Sequence, residues 1–390
     1  MKSPSCLTLA YPSAPDNIHR QGLEELQQYA GIEEVVADSK PFILYFVSGG
    51  SEAEAVKHLD RDGFQILLGS NRSNAFASAM EVKAYSLFRG YHNVLLNIDD
   101  GEDRKRLQQY VMLYSRLSGL AGSRLGLIGE VSEWLVASDI PDNILEKKLG
   151  IELVRIPWGE VGNYRDHFPV NDFFEEGRAG SELNIADAGR VSAMLESVVK
   201  AYRLDAITVE CFSLVRKNQV TACLGLSYLN DHGLPAGCEG DICSVVGIML
   251  VKQLLGEVPW MANVAGIEGN NVLFAHCTAP RSILSKYEIE THYETGMGTA
   301  VKGRLEAEEV TLFRVNNTLD RFFVAKGNVV EMPYLEHACR TQLSVELPQE
   351  KVNELRTAPL GNHHLVIPGD QAQQLEMLAE LLSSPYKSGT

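Results

Sequence analysis

The chain has 390 residues, and its 51 acidic and 35 basic side chains give it a formal net charge of −16. This acidic balance argues against nucleic-acid binding, which relies on Lys and Arg clustered over phosphates. No apolar run approaches the roughly 18 residues of a membrane span, and residues 1–17 lack the apolar core of a signal peptide. We therefore predict a cytoplasmic protein without a nucleic-acid or membrane partner.

The seven cysteines are spread along the chain, and none forms a CxxC pair. This spacing argues against a structural zinc ribbon, for which paired cysteines are typical. We expect free, mostly buried thiols in a reducing compartment.

Short aliphatic runs alternate with helical patterns from about residue 6 to residue 156. Continuous apolar strands separated by helices indicate a parallel sheet with helices on both faces. The strand ends carry turn residues but no GxGxxG or GxxxxGK[ST] motif, so a nucleotide cofactor is not indicated. The predicted strands are 6–11, 41–47, 64–68, 93–98 and 124–128, and helical patterns cover 75–88 and 104–117.

A second α/β segment follows, and after residue 271 short strand-like runs succeed one another without helices between them. Such runs indicate an antiparallel sheet or barrel. The predicted fold class is α/β, with two doubly wound parallel-sheet domains followed by a C-terminal, mainly antiparallel, barrel-like β domain. The predicted domains are 1–150, 151–270 with the acidic site, and 271–390 with a terminal helix.

The most informative stretch is GCEGD at 237–241, where a short strand meets an apolar helix. Asp241 takes the N-cap position, where its carboxylate can accept the first N–H groups of the helix. Glu239 has no basic residue within six positions. A carboxylate held there needs a metal ion, a buried partner or water.

Histidines at two other places could complete a site. His276 ends a predicted strand, although an ordinary hydrogen-bonded histidine is the alternative interpretation. His363 and His364 enter another strand, where adjacent residues point to opposite faces, so only one of them can face a given pocket. One carboxylate with one or two histidines suits Mn²⁺ or Mg²⁺ better than zinc, which prefers more nitrogen and sulfur ligands.

Several segments in the same order resemble one enzyme family. They are CEGD at 238–241, LLG at 254–256, WMANV at 260–264, the stretches 271–280 and 293–304, GNHH at 361–364 and PGD at 368–370. Over about residues 205–370 the chain resembles the L-fucose isomerase family, and L-arabinose isomerases share the same plan more distantly.

This resemblance implies an aldose–ketose isomerase with a Mn²⁺ site, or a Mg²⁺ site, and a trimeric or hexameric homo-oligomer. The family holds its metal with a Glu, an acidic residue 24 positions later and a C-terminal His. Carried over, the Glu falls on Glu239 and the His on His363 or His364. Asn362 matches a substrate-contacting Asn, and His276 matches a metal-pocket histidine of the arabinose branch.

The sequence departs from the family at Asn263, which stands 24 positions after Glu239 where the family has Asp. An amide oxygen can ligate Mn²⁺ or Mg²⁺, but it cannot accept a proton, and the lost charge weakens metal binding. Three alternatives follow. Asp241 or Glu268 replaces the missing acid, Glu239 acts as the one base with metal-bound water, or isomerase activity is lost.

Our leading hypothesis is an isomerase that moves a proton between C1 and C2 of an open-chain monosaccharide through an enediol, with a divalent cation as Lewis acid. The alternative is a non-catalytic carbohydrate-binding or assembly protein of the same fold that lost the second acid. The predicted site comprises catalytic Glu239 and Asp241, the metal ligands Glu239, Asn263, His363 and His364, and the substrate-binding His276 and Asn362.

Overall fold

The computed structural model describes residues 4–32, 40–170 and 183–383. The start of the first predicted domain, residues 1–3, and the end of the third, residues 384–390, lie outside the described residues. Contacts divide the chain into two units. The first comprises Met1–Gly119 and Met377–Thr390, and the second comprises Leu120–Glu376. Among the described helices, none has both the length and the apolar character that crossing a bilayer requires.

The first unit contains a parallel four-stranded sheet in the order β1-β2-β3-β4. On one face Leu44 and Phe46 pack with Ala79 of α3. On the other face Gly22 of α1 lies against Tyr45, so helices cover both faces. The elements are β1 Cys6–Leu9, α1 Asp16–Ala30, β2 Ile43–Phe46, α2 Glu52–Lys57, β3 Phe64–Gly69, α3 Ala75–Arg89, β4 His92–Asn97, α4 Gly101–Leu117 and a 3₁₀ turn at Ser118–Leu120.

The second unit begins with a parallel sheet in the order β6-β5-β7-β8. Chain order and strand order differ here, and ligands of such sheets collect where the strand order reverses, beyond the carboxyl ends. The elements are β5 Arg124–Ile128, α5 Asp142–Leu149, β6 Glu152–Ile156, a 3₁₀ turn at Tyr164–Asp166, α6 Ile185–Tyr202, β7 Ala206–Val209, α7 Cys211–Asn218, α8 Cys223–Asp231, β8 Ala236–Cys238 and α9 Ile242–Leu255.

Helix α9 connects this sheet to the barrel of the same unit. Its sequence is apolar on all sides, and eleven of its fourteen residues are buried, as expected of a helix covered all round. It contacts β7 and β8 on one side and β13 and β16 on the other. The close packing depends on Gly247, because a Cβ there would lie 2.8 Å from Leu365.

The C-terminal part forms a closed antiparallel barrel in the order β10-β15-β14-β13-β16-β9, beside a two-stranded ribbon of β11 and β12. The predicted fold class, two parallel-sheet α/β parts followed by an antiparallel barrel, is confirmed. The elements are β9 Trp260–Glu268, β10 Asn271–His276, a 3₁₀ turn at Arg281–Ile283, β11 Leu284–Glu290, β12 Ala300–Leu305, β13 Glu309–Val315, β14 Phe322–Glu331, β15 Thr341–Glu346, α10 Gln349–Thr357, β16 His363–Pro368 and α11 Ala372–Leu382.

The barrel register brings distant parts of the chain together at one end. In β9, Asn263 pairs with Ala275 of β10 on one side and with His363 of β16 on the other. The next residue of β10 is His276. Three of the predicted site residues therefore lie on adjacent strands at this end of the barrel.

Two strands lie across the predicted domain boundaries. β5 falls in the predicted domain 1–150, but it pairs with β6 and β7 of the second sheet. β9 falls in the predicted domain 151–270, but it pairs with β10 and β16 and is part of the barrel. Strand pairing is a long-range property that local hydrophobic patterns do not reveal. The three-domain division itself stays a prediction.

Candidate metal centre

The site begins at the turn that joins β8 to α9. Glu239 has φ +63° and Gly240 has φ +71°, so two successive residues are left-handed. This conformation is strained for Glu and is frequent where a side chain serves a functional site. Asp241 then caps α9, and its Oδ1 accepts the backbone N–H of Ser244 at 2.7 Å, as predicted for the N-cap.

Asp241 is fully buried and connects three elements. Its Oδ2 accepts Nη1–H of Arg314 in β13 and Nδ1–H of His363 in β16, each at 2.9 Å. Arg314 also donates to the hydroxyls of Ser244, at 2.7 Å, and Ser138, at 2.8 Å. Burial alone would raise the pKa of the Asp241 carboxyl, but the Arg314 charge and His363 hold it well below its usual range.

Three side chains, which we call the Glu–His cluster, converge beside this turn: Glu239, His276 and His363. The Nε2 atoms of both histidines lie 3.6 Å from Oε1 of Glu239, and one ligand atom from each residue lies within 4.8 Å of the others. The other nitrogen of each ring, Nδ1, is hydrogen-bonded on the side away from Glu239. Nδ1 of His276 is bonded to Thr278 at 2.8 Å, and Nδ1 of His363 is bonded to Asp241. These partners fix both ring orientations.

The three side chains of the cluster have shifted pKa values, because they are largely buried and interact with one another and with Asp241. Burial opposes ionisation of Glu239, but His276 and His363 outweigh it and lower the pKa of the carboxyl far below its usual range. Burial also works against a charged His363, yet Asp241 and Glu239 raise its pKa to about 9. Burial lowers the pKa of His276, whose ring is equally enclosed. A cation bound to Nε2 of His363 would release the proton held there.

The residues of the cluster fit a divalent cation. Nε2 of His363 is buried and has no hydrogen-bond partner among the described residues, which is costly unless a ligand satisfies it. Ligand atoms that share one cation at about 2.1 Å lie about 3 to 4 Å apart, and the spacing of 3.6 Å falls in this interval. A carboxylate with two imidazoles is a donor set that Mn²⁺ and other first-row ions accept.

The remaining predicted ligands are placed differently. Asn263 lies next to the cluster through its pairing with His363, but its Oδ1 accepts Nδ2–H of Asn362 at 2.8 Å. His364 points to the opposite side of β16, where its ring packs edge-on to Phe323 at 5.1 Å, and burial lowers its pKa to about 3. The structure thus brings His363 and not His364 to the cluster, and it leaves Asn362 exposed beside it.

Neither alternative for the missing acid lies open beside the cluster. Asp241 is fully buried and is engaged by Arg314. Glu268 is exposed at the other end of β9, where it pairs with Asn271. A different carboxyl, that of Glu294, interacts with the cluster, since its pKa is raised first by burial and then by the charge of Glu239.

Three further residues of the site were not predicted from the sequence: Arg314, Trp134 and Thr278. A signal existed for Arg314, because it is the one charged residue inside the apolar strand sequence VTLFRV, and buried charges are rare unless paired. Trp134 follows β5 on a strand-end loop, and its indole N–H donates to Oε2 of Glu239 at 2.6 Å. No local signal marked Thr278.

The chain is similar to curated proteins named sulfoquinovose isomerase. It is 24% identical over 312 residues to those of Priestia aryabhattai and Priestia megaterium, which is 75% of this chain and 70% of each relative. It is 21% identical over 309 residues to that of Alkalicoccus urumqiensis, which is 74% of this chain and 70% of the relative. No family model matches. The relatives agree with the predicted isomerase, whereas membership of the L-fucose isomerase family stays a prediction.

The buried ion pair yields a stability prediction. Replacing Arg314 with Met leaves the buried Asp241 without its guanidinium partner, and we expect the free energy of unfolding to fall by about 3–5 kcal/mol. The Arg155–Asp142 pair is a matched control, with the same N–O distance of 2.9 Å but 44% and 60% exposed side chains. Arg155→Met should cost at most about 1 kcal/mol. Urea unfolding curves would contradict the account if both variants lost the same small amount.

Proposed function

We propose that this chain is a divalent-metal-dependent aldose–ketose isomerase that acts on an open-chain monosaccharide. The observation that carries the proposal is the Glu–His cluster, in which two imidazole nitrogens face one carboxylate oxygen at 3.6 Å. The relatives named sulfoquinovose isomerase support a sugar as the substrate and isomerisation as the reaction.

Glu239, His276 and His363 are the residues that would hold the cation, with Asn263 as a neutral neighbour on the adjoining strand. Mn²⁺ is the ion we propose, because it accepts mixed carboxylate, imidazole and amide ligands. When bound, such an ion acts as a Lewis acid toward the negative charge that develops on the sugar oxygens. Asp241 and Thr278 keep the two imidazoles in the orientation that binding requires.

We assign the proton transfer to Glu239. Glu239 is the one carboxylate of the cluster and is ionised at neutral pH, so it is the group there that is available to accept a proton from the carbon beside a carbonyl. One carboxylate is sufficient for the carbon-bound proton, because this proton leaves C2 of the aldose and returns to C1 on the same face of the enediol. The ketose is completed when O2 gives up its hydroxyl proton to water and O1 takes one up. Asn263 takes no part in this transfer, since an amide is not a base.

Asn362 is the exposed residue beside the cluster to which we assign substrate contact. This residue is exposed next to the cluster, its own Oδ1 accepts the N–H of His363, and its amide donates to Asn263. We propose that Asn362 contacts the sugar. The name of the relatives gives the first sugar to test, sulfoquinovose, and the sequence resemblance gives L-fucose and L-arabinose as the next two.

Activity is the direct test of this proposal. With added Mn²⁺ we expect ketose formation from at least one aldose of this set, loss of activity on chelation, and recovery when Mn²⁺ is restored. Glu239→Gln should lower kcat by about 10²- to 10⁴-fold, the range that a general base contributes. In D₂O the ketose should gain deuterium at C1, which direct hydride transfer between the two carbons would not give.

Glu268→Gln is the matched control for this experiment, because the same charge is removed from the exposed far end of β9. It should retain the wild-type rate. Wild-type inertness toward every sugar, with sugar binding retained, would instead support a non-catalytic carbohydrate-binding protein of the same fold.

A second prediction concerns the amide at position 263. Asn263→Asp places another negative charge beside His363, so we expect the Kd for Mn²⁺ to fall by about tenfold. Asn270→Asp adds the same charge in the turn after β9, about 20 Å along the strand and beyond the screening length. Its Kd should be unchanged. Calorimetric titration would contradict the account if both variants behaved alike or if neither bound more tightly.

A further inference from the structure

We propose that Trp134 is a positioning residue that orients the Glu239 carboxylate and forms one wall of the sugar pocket. This inference rests on the proposed function and deepens it, because it assigns a substrate-facing surface to a loop that carries no family motif. Three independent features support it: a hydrogen bond, the anchoring of the loop, and the exposure of the ring.

The hydrogen bond divides the roles of the two carboxylate oxygens. Nε1–H of Trp134 donates to Oε2 of Glu239 at 2.6 Å, while Oε1 faces the imidazoles of His276 and His363. A bond from N–H to a carboxylate is among the stronger hydrogen bonds in proteins. Only 13% of the Glu239 side chain is exposed, so its Oε2 needs a hydrogen-bond partner within the protein, and Trp134 provides one.

The loop that carries Trp134 is fastened to the same turn. The backbone N–H of Ser132 donates to the carbonyl of Glu239 at 3.0 Å. Gly240 permits the close approach, because a Cβ there would lie only 2.4 Å from the carbonyl oxygen of Glu130. These backbone contacts hold the loop that carries Trp134 against the Glu239–Gly240 turn, which brings the indole within reach of the carboxylate.

The ring of Trp134 is nevertheless 49% exposed. One edge packs on Phe212, with centroids 4.9 Å apart and planes at 83°, and Phe212 in turn packs edge-on to His292 at 5.8 Å. These rings form an aromatic surface that starts at the carboxylate and continues away from it. An indole whose N–H is hydrogen-bonded and whose ring is half exposed suits the C–H face of a sugar.

Trp134→Phe tests the hydrogen bond, because it retains an aromatic ring and removes the N–H donor. We expect kcat to fall about 10- to 100-fold with KM within about twofold, and the Kd for Mn²⁺ to rise about tenfold, as for other groups that orient metal ligands. Trp134→Ala should raise KM as well, because the wall is lost. Trp158→Phe is the matched control, since Trp158 donates to Glu210 at 2.9 Å outside the cluster.

Trp158→Phe should leave kcat, KM and the Kd for Mn²⁺ unchanged. The proposal is overturned if Trp134→Phe matches the wild type in kcat and Kd, or if both Phe variants lose activity equally. A separate readout works even if no sugar is turned over. Glu239→Gln should shift the tryptophan emission of the wild-type chain but not of the Trp134→Phe chain. An equal shift in both chains would overturn the contact, whereas inertness toward all sugars would overturn only the proposed function.

Discussion

The buried Asp241 carboxylate is the constraint on which the candidate site depends. It accepts hydrogen bonds from the first turn of α9, from Arg314 of β13 and from His363 of β16, so one group fixes a helix and two barrel strands. A buried carboxylate is tolerated only when it is fully paired. This pairing holds the His363 ring with its Nε2 toward Glu239, and the rest of the cluster is built around that direction.

Of the two carboxylates at the site, Asp241 is neutralised by a buried arginine, and Glu239 is the one available to bind a cation. The guanidinium of Arg314 balances Asp241 inside the protein, which leaves the charge of Glu239 facing the two imidazoles. Groups behind the cluster, namely Asp241, Thr278 and Trp134, each hold one member by a hydrogen bond of 2.6–2.9 Å. The arrangement resembles metal sites in which outer partners set the tautomer and direction of each ligand.

Local sequence patterns predicted the parts of the site that depend on local structure. The cap at Asp241, and the expectation that Glu239 needs a metal ion or a distant partner, followed from neighbouring residues. The choice between His363 and His364 needed the pairing register of β16, because a shift of one residue would exchange the faces on which the two side chains lie. The role of Arg314 depends on contact with Asp241, 73 positions away, which no local pattern shows. The α/β and barrel classes were predictable, because they follow from the local alternation of strands and helices. The sheet membership of β5 and β9 was not, because it depends on long-range strand pairing.

The central claim is that Glu239, His276 and His363 bind one divalent cation. Anomalous diffraction from crystals of the full chain grown with Mn²⁺ tests it most directly. We expect one strong manganese peak at bonding distance from Oε1 of Glu239 and Nε2 of both histidines, and no peak there in Glu239→Gln. A wild-type map without manganese between these three side chains, at a concentration that saturates other Mn²⁺ enzymes, would contradict it.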